Sequence, residues 1–397
     1  MSVYEQFGVP TIINVSGAST RVGGALMPGV VIDAMAEAAT ESVAMVELQA
    51  GASRYIASVT GAEAGYVTAG ASSALTLGAA AIMAGLSPAA MDRLPDTTGL
   101  KSEFIIAREH RNGYDHAARV AGASLVEVGM NEVVANAGVR RTEAWEYEAA
   151  ITDRTAAIYY GQGPTSEPPL AEVVAVARRH GIPVLVDAAG ELPPRENLRA
   201  FIGAGADLVA FSGGKALRGP QSSGILCGRR ELIASVALQH LDMDEFFDIW
   251  DPPGDLIPKG ELPGIPRHGI GRGFKVAKEE VIGLLAALKN FVEGGLEESF
   301  ARQRSYLEYV VDGLSGLPVD PVVDVPGEGS PVLRIKLNEQ ALGMTAFEVS
   351  HRLKSGEPRV FVQEVGLPSG VLTVHPLNLD QTRTEALTEA LRRSISG

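Results

Sequence analysis

"DLVAFSGGKALRGPQSSGIL", residues 207–226, sets one lysine, Lys215, in a turn of glycine and small polar residues between two apolar runs. Leu208 to Phe211 and Ser223 to Leu226 read as buried strands, so the turn lies at a strand end beside the core. A lysine ordinarily keeps its ammonium in water on a solvated face, and this context is different. A phosphate-binding P-loop would need glycine at 209 and Ser or Thr at 216. Val209 and Ala216 stand there, which excludes it. Upstream, "LAEVVAVARRHG" (170–181) is a helix ending on Gly181, and "IPVLVDAAG" (182–190) is an apolar strand. A short helix then leads into Asp207. This βαβ alternation predicts an α/β fold with a parallel sheet covered by helices on both faces. Ligands in such folds sit at the carboxyl ends of strands, and Asp187 and Lys215 both fall there.

Outward from this stretch, further strands are expected at Tyr66 to Thr68, Phe104 to Ala107, Ala156 to Tyr160, Val332 to Ile335 and Val371 to Val374. Helices are expected at Pro28 to Glu47, Ser72 to Ala84 and Val276 to Phe291. After Leu241 the chain turns rich in Pro, Gly and Asp as far as Gly273, which reads as a long irregular loop of the kind that usually carries function. The expected organisation is an N-terminal segment (1–50), a large domain (51–314) and a small C-terminal α/β domain (315–397).

The 397 residues carry a formal charge of −14, and no basic stripe stands out. Duplex nucleic acid is therefore not an expected partner. Cys227 is the only cysteine, which excludes an intramolecular disulfide and suits a reducing compartment. No basic, apolar leader opens the chain, and no apolar run approaches the roughly 18 residues of a membrane span. A cytoplasmic protein with no membrane partner is expected. "GAGADL" at 203–208 precedes a strand and lacks a third glycine, which rules out a dinucleotide fingerprint.

A lysine near apolar walls can act as a nucleophile towards carbonyls. A carboxylate across the same pocket suits a protonated heterocycle nitrogen. Pyridoxal phosphate asks for that pair, and for a phosphate cup of backbone N–H groups at a helix start. "VTAGASSALTLGAAA" (67–81) supplies Gly70, Ala71, Ser72 and Ser73 between a strand and an Ala-rich helix. Ser212 adds a hydroxyl three residues before the lysine. No metal is expected.

At these residues the chain resembles the fold-type I pyridoxal-phosphate enzymes, in the group that joins bacterial selenocysteine synthase and D-glucosaminate-6-phosphate ammonia lyase. The resemblance covers most of the chain. It runs through "INVSGASTRVGG", "SRYIASVTGAEAGYVTAGASSAL", "REHRNGYDHAARVAGASLVEVG", "VDAAGELPP", "FSGGKALRGPQSSGILCG" and "GRGFKVAKEEVIGLLAAL". "HRNGYDHA" and "VDAAGELPP" bring it closer to the ammonia-lyase branch. The resemblance implies an aspartate aminotransferase-like fold, with a mostly parallel central sheet and a smaller C-terminal domain. It makes Lys215 the Schiff-base lysine and Asp187 the partner of the pyridinium nitrogen. Ala189 would pack on one ring face and His110 near the other, although His116 in the same motif competes for that place. Arg54, Arg272 and Lys275 would reach an active site, their own or a neighbouring subunit's, in a homodimer or larger homo-oligomer. Arg359 would bind a substrate carboxylate.

The reaction implied is α,β-elimination from a 2-amino-3-hydroxy acid, such as D-glucosaminate or its 6-phosphate, to a 2-keto-3-deoxy acid and ammonia. Arg267 and His268 join Arg272 and Lys275 as cations for the far end of such a substrate. Racemisation, epimerisation and aldol cleavage share the first step and stay open. A selenocysteine synthase-like transferase fits less well, since the family core begins near residue 10 and the acidic balance disfavours tRNA. A non-catalytic module would not be expected to keep both Lys215 and Asp187.

Overall fold

The structure, a computed structural model, describes residues 2–130, 141–242, 244–326 and 329–396. They form two compact units, Met27–Val292 and Met1–Leu26 with Glu293–Gly397. These bounds differ from the expected divisions at 51 and 315. Strand Ile13–Val15 pairs in parallel with Val360–Val362. Leu307 and Val310 of helix Leu296–Gly313 are buried in one cluster with Leu333, Leu387 and Leu391. Apolar faces on both flanks therefore draw these segments into the small unit's core. That unit also holds a three-stranded antiparallel sheet of Val319–Asp324, Val332–Leu337 and Val371–Val374.

The large unit is built on seven strands: β1 (Ala64–Thr68), β2 (Glu103–Ala107), β3 (Ser124–Val128), β4 (Thr155–Gly161), β5 (Val184–Asp187), β6 (Leu208–Ser212) and β7 (Gly224–Gly228). Their spatial order is β1-β7-β6-β5-β4-β2-β3. β7 is antiparallel to both its neighbours, and the remaining pairs are parallel. β1 and β7 are buried along their whole length. Covered on both faces, such strands read as continuous apolar runs rather than alternating ones.

The helices used below are α1 (Met45–Thr60), α2 (Gly70–Ala84), α3 (Leu170–His180), α4 (Asn197–Ala204), α5 (Arg230–His240) and α6 (Lys278–Glu293). The small side chains of α2 let it lie close on the sheet: a Cβ at Gly78 would stand 3.1 Å from Leu185 Cδ1. The run from Pro28 to Glu47, expected as one helix, is interrupted. A first helix covers Gly29–Ala39, and α1 begins only at Met45. Thr40 turns both its N–H (3.1 Å) and its hydroxyl (2.8 Å) back on the Glu37 carbonyl, the local competition that makes Thr a helix-ending residue.

Between α5 and α6 the described residues form no α-helix or strand, only short 3₁₀ turns at Lys259–Glu261 and Ile270–Phe274. Trp250, Leu256, Ile257 and Leu262 anchor this irregular stretch in the core. Cys227 is fully buried on β7, and burial pushes its thiol up to about 12. Among the described residues no helix is long and apolar enough to cross a membrane.

Candidate active site

Strand pairing brings one set of chain positions to a common sheet edge. Thr68 pairs with Gly224 and Gly224 with Ser212, while Ala210 pairs with Asp187 and Asp187 with Gly161. β1, β4, β5 and β6 end there, and the antiparallel β7 begins there.

Lys215 follows β6 in a turn closed by three backbone bonds. Gly213 N–H donates to Ser223 O (2.8 Å), Gly219 N–H to Gly213 O (2.9 Å) and Arg218 N–H to Lys215 O (2.9 Å). A Cβ at Gly213 would stand 2.5 Å from Leu284 Cδ1, and one at Gly214 2.5 Å from Gln221 Cα. Only glycine lets the turn close so tightly. Arg218 adopts φ +57°, a left-handed conformation that costs a non-glycine residue about 1–2 kcal/mol. The half-buried Lys215 directs Nζ toward the loop after β5, 3.6 Å from the point a Gly190 Cβ would occupy.

Asp187 ends β5. Its Oδ1 accepts the Ala189 N–H at 3.1 Å, and its Oδ2 accepts the Tyr159 hydroxyl at 3.3 Å. Burial raises the Asp187 carboxyl above the usual carboxylate range, against the Ala189 N–H, the Lys215 ammonium and the Tyr159 hydroxyl, which favour the charged form. Tyr159 is itself fully buried on β4, and burial raises its phenol strongly. The sequence reading missed this tyrosine. Its sole signal was a pair of tyrosines inside an apolar strand.

His110 lies beyond the end of β2, 5% exposed, in edge-to-face contact with Tyr160 (ring centroids 4.6 Å apart, 73° between planes). Gly161 accommodates it: a Cβ there would stand 3.3 Å from His110 Cβ. Among the described residues neither His110 ring nitrogen has a hydrogen-bond partner. Burial lowers the imidazole to about 4, with the nearby Glu109 acting in the opposite direction, so the ring is neutral at pH 7. His116, its competitor in the same motif, begins a short helix and contacts Arg119 at 3.1 Å. The motif is braced by Asp115, buried, which accepts Arg111 Nε at 2.5 Å and the Asn112 N–H at 3.3 Å.

α2 starts at the same edge. Its N-cap is Ala69, which offers no capping side chain, and Gly70 has φ +89°. Gly70, Ala71 and Ser72 are at least partly accessible, whereas Ser73 is buried and bonds back to Ala69 O at 2.8 Å. A Cβ at Gly224 would come within 2.6 Å of Ala71 N and collide with the Gly70 carbonyl. The start of β7 therefore lies directly against the uncapped helix start. Such N–H groups favour an anion. These features fit pyridoxal phosphate: an anion cradle, a lysine, a half-buried carboxylate and a buried, neutral imidazole.

The cationic candidates are placed elsewhere in the chain. Arg54 on α1 pairs with Asp255 (2.8 Å) on an exposed face. Arg272 pairs with Asp242 (2.8 Å), which also faces His268 at 3.6 Å, and Arg267 lies 4.0 Å from Asp92. Arg272 and Lys275 line a cleft of about 510 Å³ with Gln49, Tyr66 and His240; Lys215, Asp187 and His110 are not in its lining. Glu280, on the cleft wall, accepts a hydrogen bond from Ser222 (2.5 Å), close to the Gly70 turn. Arg359 belongs to the small unit, where it donates to Lys354 O at 2.9 Å and lies over the Phe361 ring. Ser212, half-buried, closes β6.

Comparison with known proteins extends over the whole chain. A family model described as "SelA: L-seryl-tRNA selenium transferase" matches residues 12–244. The chain is 28% identical over 402 residues to D-glucosaminate-6-phosphate ammonia lyase of Salmonella typhimurium (strain 14028s / SGSC 2262), covering 98% of this chain and 97% of that protein. It is 29% identical over 400 residues to 5'-C-glycyluridine monooxygenase-decarboxylase of a Streptomyces species, covering 99% and 92%. A solved structure of D-glucosaminate-6-phosphate ammonia-lyase superposes with a TM-score of 0.82 at 26% identity, over 100% of this chain and 98% of that one.

Proposed function

The chain belongs to the SelA family and is a fold-type I pyridoxal-phosphate enzyme, and from that premise we propose that it is a carbon–nitrogen lyase. Its substrate is a 2-amino-3-hydroxy acid of the aminosugar-acid kind, such as D-glucosaminate or its 6-phosphate, and its products are a 2-keto-3-deoxy acid and ammonia. The observation that carries this reading is the full-length likeness to an ammonia lyase, joined to Lys215 and Asp187 at neighbouring strand ends.

The N–H groups of Gly70, Ala71 and Ser72, with the Ser212 hydroxyl, would hold the cofactor phosphate. Ala189 and His110 would bound its ring, and Asp187 would keep the ring nitrogen protonated. When bound, the cofactor supplies an electron sink that acidifies the Cα–H of an amino acid joined to it. Lys215 Nζ takes that proton and holds it beside the reacting carbon. The unsaturated amine formed on loss of the β-hydroxyl then hydrolyses to keto acid and ammonia. Arg54, Arg272 and Lys275 serve substrate binding across subunits of a homodimer or larger assembly, and Arg359 takes the substrate carboxylate. The cytoplasm is the compartment that suits the single, buried Cys227.

The test is a screen of D- and L-amino acids and aminosugar acids for coupled release of keto acid and ammonia. Exchange of the α-proton with solvent without keto acid would make the enzyme a racemase or epimerase. Consumption of dioxygen with loss of carbon dioxide would favour chemistry like that of the Streptomyces relative. Comparing Arg272→Ala on phosphorylated and unphosphorylated D-glucosaminate tests the phosphate contact.

A further inference from the structure

We propose that Glu191 is the acid of this site, giving its proton to the β-hydroxyl of the substrate as the Cβ–O bond breaks. The proposal rests on the elimination reading above and supplies the group that reading lacks. Hydroxide departs poorly from carbon, so the leaving oxygen needs a proton donor within reach. Asp187 is committed elsewhere, with one oxygen taken by Tyr159 and the other by Ala189. His110 is neutral at pH 7 and carries no imidazolium proton to give.

Glu191 remains. Its main chain is fixed twice, by its N–H on Ala188 O (3.1 Å) and by Asn197 Nδ2 donating to its carbonyl (2.7 Å). Its half-buried carboxyl makes no hydrogen bond to the described residues. It directly follows Gly190, the residue beside Lys215 Nζ. Burial raises this carboxyl above the ordinary glutamate range, Lys215 pulls it part of the way back, and the charge of Asp187 adds a smaller rise. Asp187 at the end of β5, Glu191 in the loop that follows it and Lys215 in the turn after β6 thus act on one another through their charges. A carboxyl raised by its surroundings is the form that acts as a general acid.

The step balances without a further reactant. Lys215 Nζ removes the α-proton, and the freed pair becomes the Cα–Cβ double bond. The Cβ–O pair leaves with oxygen, which takes the Glu191 proton and departs as water. The Lys215 ammonium then returns a proton to the Glu191 carboxylate.

Two measurements on the holoenzyme test this. With ¹³Cδ-labelled glutamate, one carboxyl resonance should titrate above the ordinary glutamate range and vanish in Glu191→Gln; its absence overturns the proposal. Next, the 2-amino-3-hydroxy substrate is compared with its 3-chloro analogue, whose leaving group needs no proton. Glu191→Gln should lose roughly 10²–10⁴-fold on the hydroxy substrate yet stay within about tenfold on the chloro compound. Glu191→Asp should recover part of the loss. Equal losses on both substrates, or none on either, overturn Glu191 as the acid while leaving elimination intact. A wild-type enzyme that eliminates from neither substrate, though it exchanges the α-proton, overturns the elimination reading itself and the acid with it.

Discussion

Asp187 is a half-buried carboxylate whose protein partners are a phenol, a backbone N–H and a lysine. Burial of charge is costly unless matched, and a protonated ring nitrogen would match it. Asp187→Asn should still bind pyridoxal phosphate but lose about a thousandfold or more in α-proton abstraction, read as exchange into deuterium oxide. Near-normal exchange would make Asp187 structural only. Tyr159→Phe removes a hydrogen bond to a charged group and should cost roughly ten- to a hundredfold in kcat, with a shifted cofactor absorption band. His110 gives a pH-dependent outcome. Its imidazole titrates near 4 in the fold and near 6.5 in the unfolded chain, so the folded state binds fewer protons between those values. That contribution is fully present above about pH 6.5 and is lost as pH falls toward 4. Cofactor-free protein should therefore lose Tm over this window, and His110→Asn should flatten the loss.

Secondary-structure elements decide where the anion cradle lies. The α2 start is open because β7 begins on Gly224 beside it and because Ala69 offers no cap. A methyl at 224 meets backbone on the Gly70 side, which cannot rotate away as a side chain would. Gly224→Ala should weaken pyridoxal-phosphate binding by about tenfold or more, measured by fluorescence titration, and lower Tm. At the far end of α2, the methyl that Gly85→Ala adds meets no atom within 4 Å. That variant should leave cofactor affinity unchanged, with the strain at φ +54° appearing in Tm alone. The strand ends around Lys215 were legible because glycines punctuate apolar runs there. The break after Ala39 was not, since Thr40 ends the helix by a bond that apolar periodicity does not register.

At the scale of the whole molecule, the large unit exposes Val30, Ile32, Val43 and Met45, and Met45 continues into the cleft of Arg272 and Lys275. If these residues, near one another in the chain, share one face, that face is where a second subunit is expected to pack. Sedimentation should show a dimer or an assembly of dimers, and Ile32→Glu should shift it toward smaller species with lower activity; a fully active monomer at micromolar concentration would refute the subunit contacts assigned to Arg54, Arg272 and Lys275. The α/β class, the strand ends carrying Asp187 and Lys215 and the glycine-rich helix start follow from the chain read locally, because apolar runs and glycines act over a few residues. Other features depended on tertiary structure: the hydroxyl of Tyr159 on Asp187, the buried ring of His110 against Tyr160, and the capture of Ile13–Val15 by the distant strand Val360–Val362. Each depends on the register of strands distant in sequence, and register is set by how whole faces pack, which no local pattern contains.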